Sequence, residues 1–168
     1  MSQVKDLTQQ EGIEKLKELA KDKAAMFCTY DGKLISSRPM YTQSVEDNGT
    51  FYFFSKADNH LSEQLAANPA VHLIYANPGK DTYLFVEGKG KLSKNKSIID
   101  RLWTDFAKVW FEEGKDDPSL LLVTVTVDHA RYWETQHGKL VSDVKILFST
   151  LTGGTADDGQ EGTIHLKK

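Results

Sequence analysis

The chain has 168 residues, 39% hydrophobic and 27% charged, which suits one domain with a real core and is too short for two ordinary ones. A formal net charge of −3 leaves no electrostatic footprint for nucleic acid or an anionic membrane. The single cysteine, Cys28, excludes an intrachain disulfide; no stretch reads as a secretory signal or a membrane span, so a cytoplasmic location is expected. Positive charge is nearly all lysine. Arginine occurs only at Arg38, Arg101 and Arg131, so each is a stronger candidate for a specific contact than any one lysine.

Thr8-Gln9-Gln10-Glu11 has capping-box spacing, and Ile13, Leu16, Leu19 and Ala20 then recur at helical intervals. A helix is predicted over 9–21. A strand follows at about Ala24–Tyr30, then a two-residue hairpin signal, Asp31-Gly32. The next strand runs from Lys33 to Val45 and contains Pro39, which cannot donate to a ladder. That strand is at an edge, bulged, or open on one side there. After the Glu46–Gly49 turn, Thr50–Ser55 is a third strand. Asp58 is placed to cap a helix to about Ala67, ended by Asn68-Pro69. Ala70–Ala76 and Thr82–Ser93 are strands four and five, the latter with Gly88 and Gly90 marking a bulge or barrel corner. Lys96 to Phe111 has a helical pattern. Ser119–Val127 is a sixth strand and Arg131–Glu134 a short seventh. Leu140, Val141, Val144, Leu147, Phe148 and Leu151 trace one face of a further helix.

Six or seven short antiparallel strands with intervening helices predict a mainly β (α+β) domain, a closed barrel with helices outside. Nothing splits the chain, so residues 1–168 are expected to form one domain, with a core over about 10–153 and a polar tail, 154–168, that is mobile or docks only in places.

The segment Phe51-Tyr52-Phe53-Phe54-Ser55-Lys56 carries the chemistry. An aromatic strand leading through Ser and Lys into a helix start suits a flat, phosphate-bearing ligand. The same run also reads as barrel core plus one partly exposed ring. Phe51 and Phe53 face one side of the strand and Tyr52 and Phe54 the other, so both sides cannot serve one ligand. The five histidines show no metal-binding helix spacing. There is no nucleophile elbow and no plausible Cys-His pair. Cys28 reads as a small buried hydrophobe and His72 as a strand-face polar residue. Trp103, Phe106 and Trp110 recur at helical spacing, which is the pattern of a core or an interface.

Arg38-Pro39-Met40, Phe51–Lys56, Leu65-x-x-Asn68-Pro69-x-Val71 and Val86-x-Gly88 occur in this order. Together they resemble the pyridoxamine 5′-phosphate oxidase-like flavin-binding split barrels. Arg101-Leu102-Trp103, Asp116-Asp117-Pro118, Leu121–Val127 and Ala130–Trp133 narrow the resemblance to the general stress protein branch. It implies a six- to seven-stranded antiparallel split β-barrel with flanking helices, a homodimer, and FMN (or FAD) at the dimer interface. It places Arg38 at the flavin phosphate or ring edge, with Pro39 and Met40 beside the ring system. Phe53, Phe54 and Ser55 would lie along the ring and ribityl chain. Ser55, Lys56, Asn59 and His60 would face the phosphate, while Trp110 and Phe111 would cover the ring from the partner subunit. It implies a flavin-dependent oxidoreductase, a flavin-binding protein without turnover, or an empty barrel kept as a dimeric interaction module. One position departs from the pattern. Many relatives carry a basic residue four positions before the helix leucine equivalent to Leu65, and here that position is Leu61. A phosphate ion pair is then missing unless Lys56 or His60 replaces it.

Overall fold

Burial alternates along most of β4, β5 and β6, which gives the sheet an apolar inner face and a more polar outer one. The computed structural model describes residues 3–57, 60–135, 159–164 and 166. The elements in chain order are β1 (Gln3–Asp6), α1 (Gln9–Ala20), β2 (Ala24–Tyr30), β3 (Ile35–Val45), β4 (Thr50–Lys56), α2 (Leu61–Ala67), β5 (Ala70–Asn77), β6 (Thr82–Ser93), α3 (Lys96–Leu102), β7 (Leu120–Thr135) and β8 (Gly159–Ile164). Short 3₁₀ turns cover Asp105–Val109 and Gly114–Asp116. No helix among the described residues is long and apolar enough to cross a membrane.

Six antiparallel strands close the barrel in the order β4-β3-β2-β5-β6-β7, with β7 returning to β4. Phe27, Phe51, Phe53, Leu73 and Val86 fill it and are wholly enclosed. Phe27 and Phe53 meet edge to face, with ring centroids 5.4 Å apart, the geometry their ring quadrupoles favour. α1 starts at the capping box that the sequence marks. The Thr8 amide donates to Glu11 Oε2 at 2.9 Å and the Glu11 amide to Thr8 Oγ1 at 3.4 Å. Its apolar stripe, Ile13, Leu16, Leu19 and Ala20, is buried.

Three expectations need correction. The Asp31-Gly32 hairpin is a four-residue loop, since Tyr30 pairs with Ile35. Asp31 Oδ1 accepts the amides of Lys33 and Leu34 at 2.8 and 2.9 Å, an Asx turn that needs the longer loop. The sixth and seventh strands are one strand, β7. Its register slips once, between Glu87–His129 and Gly88–Val127, and a bulge at Asp128 absorbs the change of direction. Gly88 is required there, because a Cβ would lie 2.4 Å from the Thr126 carbonyl oxygen. The Lys96–Phe111 helix ends at Leu102. Trp103 and Thr104 are extended, and the Trp103 ring packs on Phe54 and Phe111, which turns the chain back over the sheet.

The tail contributes one further strand. Its residues 159–164 form β8, paired antiparallel with Ala130–Thr135 of β7 and parallel with β1. Ile164 is buried against Gly12 of α1. The helix expected near 140–151, and Asp58 as a cap, lie outside the described residues.

Candidate functional site

β3 stays paired with β2 from Ile35 to Tyr41. Its pairing with β4 is shorter. It covers only Thr42–Phe53, Ser44–Tyr52 and Val45–Phe51, with an irregularity at Gln43. β4 itself continues to Lys56 on its other neighbour, β7. The two strands therefore part beyond Thr42, and the stretch around Pro39 is open on its β4 side, one of the conditions the proline demands.

A groove of about 490 Å³ occupies the gap. β3 lines it with Arg38, Pro39, Met40, Tyr41 and Gln43, and β4 lines it with Phe54, Ser55 and Lys56. Phe106, Ala107, Trp110 and Phe111 form the third wall, and Ala24 completes the lining. Phe111 is buried, its ring edge-on to Phe54 at 6.4 Å. Phe106 lies 4.8 Å from the Tyr41 ring. Phe106, Val109 and Trp110 form an apolar lip that is 52, 75 and 60% exposed.

Two cations, Arg38 and Lys56, lie among these residues, and no carboxylate or histidine does. Arg38 is half-buried. Its Nη2 donates to Gln64 Oε1 at 2.5 Å and, more weakly, to Thr29 Oγ1 at 3.4 Å. Among the described residues no carboxylate lies within ion-pairing distance of it. Burial pulls its pKa below the usual guanidinium value, yet an arginine keeps its charge at neutral pH. A half-buried cation held only by neutral acceptors, beside an apolar slot, has the chemistry to pair with an anionic group on a largely apolar ligand.

Eight sequence-expected residues meet in this groove: Arg38, Pro39, Met40, Phe54, Ser55, Lys56, Trp110 and Phe111. Trp110 and Phe111 line the groove of their own chain, where the resemblance places them over a partner's. Phe53 faces the other way and is enclosed in the barrel, as strand alternation requires. His60 is exposed, 3.3 Å from Glu63, and lines no part of the groove. Asn59 lies outside the described residues. α2 is only seven residues long, its cap residue His60 makes no side-chain cap bond, and none of its residues lines the groove. Leu61 is fully buried in the main core with Leu65. The departure at that position is a packing choice on the inner face of α2.

The residues missed from sequence are Ala24, Tyr41, Gln43, Phe106 and Ala107. Tyr41 and Gln43 continue the outward alternation that starts at Pro39, a signal the sequence does carry. Helical spacing assigns Phe106 to a core or interface face, because the break after Leu102 leaves no local mark. Cys28 behaves as expected: it is buried, and burial raises its thiol pKa. His72 sits half-exposed on the strand face, stacked on Phe85 with centroids 5.5 Å apart.

The model of the family described as "Pyridoxamine 5′-phosphate oxidase like" matches residues 11–157. General stress protein 26 of Bacillus subtilis (strain 168) is 29% identical over 94 residues, 54% of this chain and 66% of that protein, a little under two thirds of its length. Among solved structures, a general stress FMN/FAD binding protein from Xanthomonas citri is 29% identical with a TM-score of 0.66, covering 76% of this chain and 90% of that one. A general stress protein 26 from Jannaschia sp. CCS1 is 23% identical and shares the fold, with a TM-score of 0.71 over 93% of this chain and 96% of that one.

Proposed function

Because the chain belongs to the pyridoxamine 5′-phosphate oxidase-like family, we propose that it binds a flavin in the groove between β3 and β4, with FMN as the preferred form and FAD as the alternative. The observation that carries this reading is the parting of the two strands beyond Thr42. It leaves an apolar slot with Arg38 and Lys56 among its lining residues. Its volume falls within the roughly 300–1,000 Å³ of small-molecule sites. Met40, Phe54 and Phe111 would flank the planar ring system, and Trp110 and Phe106 would shield its exposed side. Arg38 and Lys56 would take the phosphate. Two chains would pair across the apolar lip at Phe106, Val109 and Trp110, forming a cytoplasmic homodimer with a flavin site on each side of the interface.

When bound, the flavin would supply electron or hydride transfer, and the chain would supply position and charge. The reading is then a stress-related, flavin-dependent oxidoreductase. The lining offers no carboxylate or histidine as a general acid or base, which favours, as the second reading, a flavin-binding protein without turnover. Titration of the apoprotein with FMN, FAD and riboflavin, followed by flavin fluorescence, tests the binding. FMN should bind more tightly than riboflavin, and the reading fails if no flavin binds at micromolar protein. Bleaching of the flavin bands by NADPH or NADH separates the enzyme from the carrier.

A further inference from the structure

Gln64 of α2 lines no part of the groove, yet it makes the shorter of the two side-chain hydrogen bonds that hold Arg38. Its Oε1 accepts from Arg38 Nη2 at 2.5 Å and from Thr29 Oγ1 at 2.7 Å. Its Nε2 donates to Ser36 Oγ at 3.1 Å. Thr29 is itself buried on β2, and Ser36 lies on β3 two residues before Arg38. The amide thus ties α2 to β2 and β3. Its orientation follows from chemistry, because a guanidinium has donors only and must meet the carbonyl end.

The neutrality of this clamp matters as much as its geometry. A carboxylate at the same place would satisfy Arg38 with a charge-assisted pair and cancel its charge. An amide fixes the side chain and leaves its charge for a ligand. Arg38 keeps further N–H donors beyond the one spent on Gln64 and Thr29.

We infer that Gln64 is a positioning residue that sets the groove's selectivity for anionic over neutral ligands of the same ring system, by fixing Arg38 without neutralising it. This inference rests on the flavin reading above. It predicts that FMN and riboflavin respond differently to changes at residue 64, although neither ligand touches that residue.

The test uses the full-length protein and two probes, FMN and riboflavin. Gln64→Glu is isosteric and turns the neutral clamp into an ion pair. FMN affinity should fall about tenfold or more, while riboflavin affinity stays within about twofold. Gln64→Leu removes the clamp and should lower FMN affinity by a smaller factor, again sparing riboflavin. In the double variant Arg38→Ala/Gln64→Glu, FMN affinity should equal that of Arg38→Ala alone, because Gln64 acts only through Arg38. Equal losses for FMN and riboflavin would assign Gln64 a purely structural role and overturn the inference. So would a further loss in the double variant, which would mean that the carboxylate repels the phosphate directly. A wild-type protein that binds FMN and riboflavin equally refutes the selectivity and leaves flavin binding standing. One that binds neither refutes both.

Discussion

Phe53 and Phe54 are neighbours in sequence with opposite fates, and replacing each by alanine separates fold from site. Phe53 is fully enclosed and packs edge to face on Phe27. Its loss removes a buried ring and leaves a cavity, costing about 3–5 kcal/mol. For a chain of this size each kcal/mol lowers Tm by roughly 2–4 °C, so the drop should be about 6–20 °C. Phe54 is half-buried on the outer face, with ring contacts to Trp103 at 5.9 Å and Phe111 at 6.4 Å. Its loss should cost only about 1–3 kcal/mol of stability. It also removes a groove wall, so FMN affinity should fall about threefold to tenfold. Thermal denaturation and flavin titration, both run on each variant well below its Tm, give the two readouts. Phe53→Ala should leave FMN affinity within about twofold of wild type. If Phe53→Ala weakens FMN as much as Phe54→Ala, or leaves Tm unchanged, the assignment of strand faces is wrong.

Arg38→Ala should lower FMN affinity about ten- to a hundredfold and riboflavin affinity far less, since one charge-assisted contact contributes roughly 1.5–3 kcal/mol; an unchanged FMN titration would remove Arg38 from the site. Gly88→Ala should destabilise the barrel by about 1–3 kcal/mol through overpacking, because its Cβ would meet the Thr126 carbonyl; a chemical-denaturation midpoint equal to wild type would contradict the bulge. Tyr75 is buried, which raises its pKa, and its hydroxyl shares a 2.7 Å hydrogen bond with Thr42. Its proton stays on in the folded chain where the unfolded chain ionises, so stability should be full below about pH 10 and decline above it. Tyr75→Phe should flatten that decline in denaturation midpoints measured from neutral to alkaline pH, and an unaltered slope would show that Tyr75 is not its source.

Much of this molecule is legible one segment at a time. Thr8 and Glu11 mark the start of α1, Pro69 closes the exit from α2, and Thr82–Ser93 reads as a strand with Gly88 at the irregularity. These signals are local: a cap is a bond between residues three apart, and strand alternation repeats every two. Pro39 announces an open or irregular ladder, and Phe51–Lys56 announces an aromatic strand with a polar end. Arg38, Phe54 and Lys56 are therefore candidates on their residue types and positions alone, although nothing local to any of them says that they meet.

What the sequence determined by itself was the approximate place of each barrel strand, the opposite faces of the Phe51–Phe54 run, and the residue types a flavin site would need. Only the tertiary structure decided where β3 leaves β4, that Phe106 and Trp110 fold back to wall the gap, that β8 joins the sheet, and that Gln64 grips Arg38. Each of these depends on partners far apart in the chain: Gln64 is 26 residues from Arg38, and β8 pairs with a strand that ends at Thr135. A strand's periodicity states which side of it is apolar. Which neighbour it keeps, and where it lets that neighbour go, is settled by competition among all six barrel strands for the same backbone donors and acceptors.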